Sequence, residues 1–193
     1  MTASSMLSCR SLSRFAVLLA FVLGAVAATP ARADGIEVKQ SALVAAEEGY
    51  YLEAEFEIAL TPILEDALNK GVPLYFSVEF VLTRPRWYWF NEKLANARQL
   101  YRLSYNALTR QYRVGVGTLY QNFPSLPEAL AFMSQVRLRD IIEPGALAKG
   151  ESYVAELRMR LDITQLPRPF QVSAVGTREW SVSSDWHRWT VAP

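Results

Sequence analysis

Tyr50-Tyr-Leu-Glu-Ala-Glu-Phe-Glu-Ile-Ala-Leu60 sorts its side chains two by two: Leu52, Ala54, Phe56, Ile58 and Leu60 fall on one side, Glu53, Glu55 and Glu57 on the other. Successive side chains of a strand point to opposite faces, so this period predicts a strand with one dry and one wet face, the pattern of an antiparallel sheet. Just upstream, Ile36 to Ala45 reads as a first strand, ended by Glu47-Glu48-Gly49. Just downstream, Thr61-Pro62 supplies a helix N-cap and a first-turn proline. Ile63, Leu64, Ala67 and Leu68 then make a helical stripe that stops at Gly71.

The same alternation recurs along the chain. In Leu74–Thr83, Phe76, Val78, Phe80 and Leu82 share a side; Arg84-Pro85-Arg86 interrupts the run, and a proline there demands an edge position or a bulge. Ala95–Tyr105 and Tyr112–Tyr120 read as a hairpin around Asn106–Gln111. Ser125-Leu-Pro-Glu128 is a capping box that opens a second short helix, with Leu126, Ala129, Leu130 and Met133 on its buried stripe. Tyr153 to Ile163 alternates again, and Phe170–Val175 and Trp180–Val191 read as the last strands. Seven or eight strands with two short helices point to a mainly β chain, a two-layer antiparallel β-sandwich of immunoglobulin-like type. The alternative is an α+β arrangement with the helices on one face of an antiparallel sheet.

The N-terminus carries a different kind of signal. Arg10 and Arg14 precede an unbroken apolar run from Phe15 to Ala28, and no acid occurs before Asp34. The run is shorter than the roughly 20 residues that cross a bilayer as a helix. Thr29-Pro30 breaks it, and Ala31-Arg32-Ala33 is the small-x-small pattern of a cleavage site. Residues 1–33 are therefore expected to be a signal peptide cut between Ala33 and Asp34, leaving 34–193 as one β-rich domain, soluble in the periplasm. An uncleaved membrane anchor is the competing account, opposed by the short run and the small residues. Cys9 lies before the apolar run, so it is not a lipid acceptor. Cleavage also removes three arginines and no acid, leaving 17 basic against 19 acidic residues and no thiol.

These counts exclude several chemistries. One Cys and one His in 193 residues leave no cysteine-rich or multi-histidine metal centre. No nucleophile elbow, zinc-protease helix or phosphate-binding glycine loop occurs. A Ser–His–Asp site would have to use His187, in Ser183-Ser-Asp-Trp-His187, where Asp185 and His187 share a strand face; such crowding is unlike the spatial convergence of a triad. The row Glu53, Glu55 and Glu57 offers like environments, whereas acid/base pairs need unlike ones. No catalytic residue, metal or cofactor is expected. A net acidic exported chain also makes a poor partner for nucleic acid.

The cluster Arg84-Pro-Arg-Trp-Tyr-Trp-Phe90 is the candidate binding site: Arg84 and Arg86 would grip carboxylate or phosphate, and Trp87 and Trp89 would stack on sugars or cations. Burial of the aromatic rings competes with that reading, for Trp180, Trp186 and Trp189 as well. Arg98, Arg102, Arg110 and Arg113 form a second basic group around the expected hairpin.

The leader, the Tyr50–Leu60 strand, the Tyr101–Tyr112 hairpin, the Ser125–Met133 helix, Leu166-Pro-Arg-Pro-Phe170 and Trp180-Ser-Val-Ser-Ser-Asp-Trp186 together resemble the DUF4390 family of exported proteobacterial proteins. That resemblance would cover nearly all of 34–193 and implies no activity and no functional residues. It does imply an envelope partner such as a sensor kinase of the nitrogen-regulation type. The expected role is therefore a non-enzymatic envelope protein that recognises another protein and has no membrane segment after cleavage. The alternative is a periplasmic binding module for a glycan, peptide or lipid through the Arg/Trp edge.

Overall fold

The computed structural model describes residues 35–86, 88, 92–174 and 177–193. The expected cleavage residues Ala31, Ala33 and Asp34, and the tryptophans Trp87 and Trp89, lie outside them. Among the described residues, nine strands form two antiparallel sheets. β1 (Gly35–Ala46), β2 (Gly49–Ala59) and β7 (Gln135–Ile142) make a three-stranded sheet in the order β1-β2-β7. The six-stranded sheet is ordered β6-β5-β4-β3-β8-β9, from β3 (Leu74–Arg84), β4 (Glu92–Asn106), β5 (Gln111–Val116), β6 (Leu119–Phe123), β8 (Tyr153–Leu161) and β9 (His187–Val191).

The alternation read in the sequence becomes the core. On β2, Leu52, Ala54, Phe56 and Ile58 are buried while Glu55 and Glu57 face water. Phe76, Val78, Phe80 and Leu82 of β3 are fully buried and pair with Leu161, Met159, Leu157 and Ala155 of β8. Both sheets give their inner faces to one apolar cluster in a sandwich-like arrangement. Replacing a ring such as Phe80 by alanine would cost about 3–5 kcal/mol.

Helix α1 (Pro62–Asn69) begins where Thr61 Oγ1 accepts from Leu64 N. It ends in a Schellman motif: Val72 N donates to Ala67 O, Gly71 N donates to Leu68 O, and Gly71 takes the positive φ of 89° that a side chain resists. Helix α2 (Leu126–Ser134) is capped by Ser125, whose Oγ accepts from Glu128 N and donates to Glu128 Oε1. Buried Leu64 and Leu68 of α1 and Ala129 and Met133 of α2 join the same core.

Three local expectations change. Residues 112–120 form two strands, because Gly117 adopts φ 59° and turns the chain back between paired Val116 and Leu119. Of the strand expected over Phe170–Val175, Val175 lies outside the described residues and the rest is helical: α3 spans Arg168–Ala174, and the ring of Phe170 rests 5.9 Å from that of buried Trp180. Trp180–Val191 is broken, with Ser183 bridging Arg160 and regular pairing starting only at His187. Pro85 stands just past the end of β3, and a register shift at Leu82/Thr83 supplies the bulge that such a proline calls for.

Candidate functional site

The outer face of the six-stranded sheet is where arginines collect. The register places Arg98 and Arg102 of β4, Arg113 of β5, Arg158 and Arg160 of β8 and Arg188 of β9 on that side, opposite the buried rows of β3 and β8. Three carboxylates meet them. Glu79 of β3 holds two: Arg158 Nη2 lies 2.5 Å from Glu79 Oε2, and Arg160 Nη2 lies 3.0 Å from Oε1. Burial alone would raise the Glu79 carboxyl, but the hydrogen bonds and charges of Arg158 and Arg160 outweigh it and hold the group below its ordinary value. Trp186 covers the Arg158 guanidinium, 4.3 Å from the ring centroid. Arg188 pairs with Glu156.

Arg98 reaches a carboxylate that sequence proximity does not show. Its Nη2 donates to Asp162 Oδ2 at 2.8 Å and its Nε to Ser77 Oγ at 2.8 Å, and both Ser77 and Asp162 are buried. Asp162 also accepts from the backbone N–H and the hydroxyl of Thr164, which fixes the turn after β8.

Arg102 and Arg113 pair with no carboxylate among the described residues. They lie on aromatic rings instead. A cross-strand row runs Tyr75–Arg102–Gly115–Tyr120 over β3, β4, β5 and β6. Arg102 stands 5.8 Å from the Tyr75 ring and Arg113 6.0 Å from the Tyr120 ring, and Arg113 Nε donates to Asn122 Oδ1 at 2.9 Å. The Tyr120 ring occupies the space above Gly115, where a Cβ would come within 2.6 Å of Tyr120 Cε1. The result is an exposed surface of two guanidinium groups set beside tyrosine rings, with no carboxylate partner among the described residues. It suits carboxylate, which arginine binds with two parallel hydrogen bonds.

The Arg84–Arg86 end of β3 is arranged differently. Arg86 lies 2.5 Å from Glu92 Oε2 and Arg84 3.7 Å from the same oxygen. Arg84 Nε also stands 3.0 Å from Glu151 Oε2, but its N–H is not aimed at that oxygen and makes no hydrogen bond. The guanidinium of Arg84 lies over the Tyr153 ring. Both cations are thus matched by carboxylates of the same chain. Tyr88 is exposed, while Trp87 and Trp89 lie outside the described residues.

The remaining tryptophans divide. Trp180 is buried, Trp189 is half-buried with its ring 6.2 Å from that of Phe80, and Trp186 lies on the arginine face. His187 is exposed, its ring 5.5 Å from that of Trp189, and no hydrogen bond joins it to Asp185. The row of Glu53, Glu55 and Glu57 lies on the outer face of β2, with Glu53 paired to Arg137 and Glu57 to Lys39. Among the described residues no three His, Cys, Asp or Glu side chains converge as metal ligands would. A groove of about 510 Å³ runs beside the arginine face, with Arg158 and Arg160 at its rim and Leu161, Ile163, Trp180 and Val182 in its wall. No helix among the described residues is long and apolar enough to cross a membrane.

The sequence groups Arg98, Arg102, Arg110 and Arg113 and leaves Trp186 between burial and contact, but it does not single out Tyr75, Tyr120 or Asn122. The available signal was the period-two pattern of β5, where Arg113 and Gly115 share a face. A family model described as a domain of unknown function, DUF4390, matches residues 33–190, and the chain belongs to that family. No curated protein and no solved structure matches it.

Proposed function

We propose that this DUF4390 protein is an exported, non-catalytic recognition domain. It works in the periplasm after loss of its signal peptide and binds an acidic surface of an envelope protein, such as the sensory portion of a membrane kinase. The observation that carries this reading is the pair Arg102 and Arg113, exposed on one sheet face and without a carboxylate among the described residues. Interfaces are enriched in arginine and tyrosine, and complementary charge steers encounter and suppresses wrong partners. The sequence contributes the export signal and the lack of catalytic motifs. A net acidic exported chain argues against nucleic acid as the partner. The glycan, peptide or lipid alternative at Arg84, Arg86, Trp87 and Trp89 has less support, because Glu92 and Glu151 already face the two arginines.

The test has two arms. N-terminal sequencing of the exported protein should begin at Asp34; an intact Met1 from the cytosol overturns the location. In vivo crosslinking should join the protein to one specific membrane protein, with capture lost on reversing Arg102 and Arg113 to glutamate. Capture that survives both reversals overturns the basic face as the contact.

A further inference from the structure

Edge strands leave a row of backbone N–H and C=O groups unpaired, and natural sheets blunt such edges with charge, proline or bulges. Of the four sheet edges among the described residues, three are treated in that way. β1 carries Glu37 and Lys39 and a register shift between Val38 and Gln40; β7 carries Arg137, Arg139 and Asp140; β9 carries Arg188. β6 is the exception. Leu119-Tyr-Gln-Asn-Phe123 has no charge and no proline, and it pairs with β5 in unbroken register. Its first four residues are exposed, Leu119 at 77% and Tyr120 at 57%.

We propose that β6 is a strand-addition site, where an extended segment of a partner protein joins the six-stranded sheet with acidic side chains on one face and apolar ones on the other. This deepens the reading of the basic face and rests on it. Tyr120 and Asn122 lie on the arginine side of β6, and the Arg113 guanidinium is held across them by its bond to Asn122. The cation is therefore directed from β5 over β6 toward the open edge, where an acidic side chain on an added strand would meet it. On the other side of β6, Leu119 shares the face of Val116 and is bare, and Phe132 of α2 is half open beside Phe123. An apolar residue at alternate positions of the added strand would cover that side. Backbone pairing supplies affinity in such additions and the alternating side chains supply specificity. A second copy of this chain fits worse, because antiparallel β6–β6 pairing would bring its Arg102 and Arg113 onto the same face as the first pair.

Three synthetic octapeptides test this on the purified full chain: alternating glutamate and valine, alternating lysine and valine, and the glutamate peptide with the amides of one edge N-methylated. The glutamate peptide should slow amide hydrogen exchange in β6 by about fivefold or more at saturation, since exchange reports local opening. The lysine peptide should leave β6 unchanged. N-methylation, which removes donors and keeps charge, should weaken binding at least about tenfold, as should Arg113→Glu in a chain of unaltered melting temperature. Equal binding of the N-methylated peptide overturns strand addition and leaves the basic face standing. Equal binding of the lysine peptide, or binding untouched by Arg113→Glu, overturns the basic face and the proposal with it. No protection by any peptide overturns the proposal, and so does β6 already protected in a dimer of this chain.

Discussion

The ring of Tyr120 roofs Gly115, and a methyl group placed on that glycine would stand 2.6 Å from Tyr120 Cε1. Tyr120 is 57% exposed and free to swing outward, so Gly115→Ala should change stability by no more than about 1 kcal/mol. It should nevertheless displace the ring that carries Arg113. Thermal melting and the Tyr120 ring resonances check this; a large loss of stability would show that Tyr120 is fixed rather than merely resting there.

Gly49 poses the opposite case. Its φ is 128°, and an added Cβ would lie 2.4 Å from the backbone oxygen of Ile142. Neither the backbone strain nor the clash is relieved by rotating a side chain. Gly49→Ala should therefore cost about 2–4 kcal/mol, read as a lower denaturant midpoint at unchanged slope. A neutral result would mean that β2 and β7 separate easily at that end.

Glu79 governs the acid limb of stability. Its carboxyl titrates below the ordinary 4.5 in the native state, so its contribution is complete above that value and is lost as pH falls through the lower native one. Glu79→Gln leaves Arg158 and Arg160 side by side without their shared anion. The expected loss at pH 7 is about 1–3 kcal/mol. The gap between variant and parent should close as the parent's carboxylate protonates. A gap that stays constant from pH 7 to pH 3 would sink the assignment.

Tyr101 governs the alkaline limb. Burial pushes its phenol up to about 12, against an opposing hydrogen bond with Gln99. The neutral form is favoured in the fold, so this contribution is full below pH 10 and is lost as pH rises from there toward 12. Tyr101→Phe, which cannot ionise, should flatten the fall of stability above pH 10. Equilibrium unfolding at several alkaline pH values measures the slope, and an unchanged slope speaks against the claim.

Local and regular features were legible in the sequence. The alternation of β2 and β3 is plain because each presents one face to the core, and the caps at Thr61 and Ser125 act within three residues of themselves. Strand β7 is not legible in the sequence because it follows Ser134 with no breaker between helix and strand. Phe170–Val175 is too short a run for its period to separate helix from strand, and the helix was settled by Phe170 packing on Trp180. The arginine face was half visible. Which guanidinium is neutralised depends on register and on distant partners: Arg98 finds Asp162 from 64 residues away, while Arg102 finds a tyrosine.

Glu79 and Arg158 touch across adjacent strands and are 79 residues apart in the chain. Central β3 thus receives its second neighbour only when the segment from Tyr153 to Leu161 arrives. A nascent chain cannot complete its larger sheet before then, and pairings of such long separation form slowly.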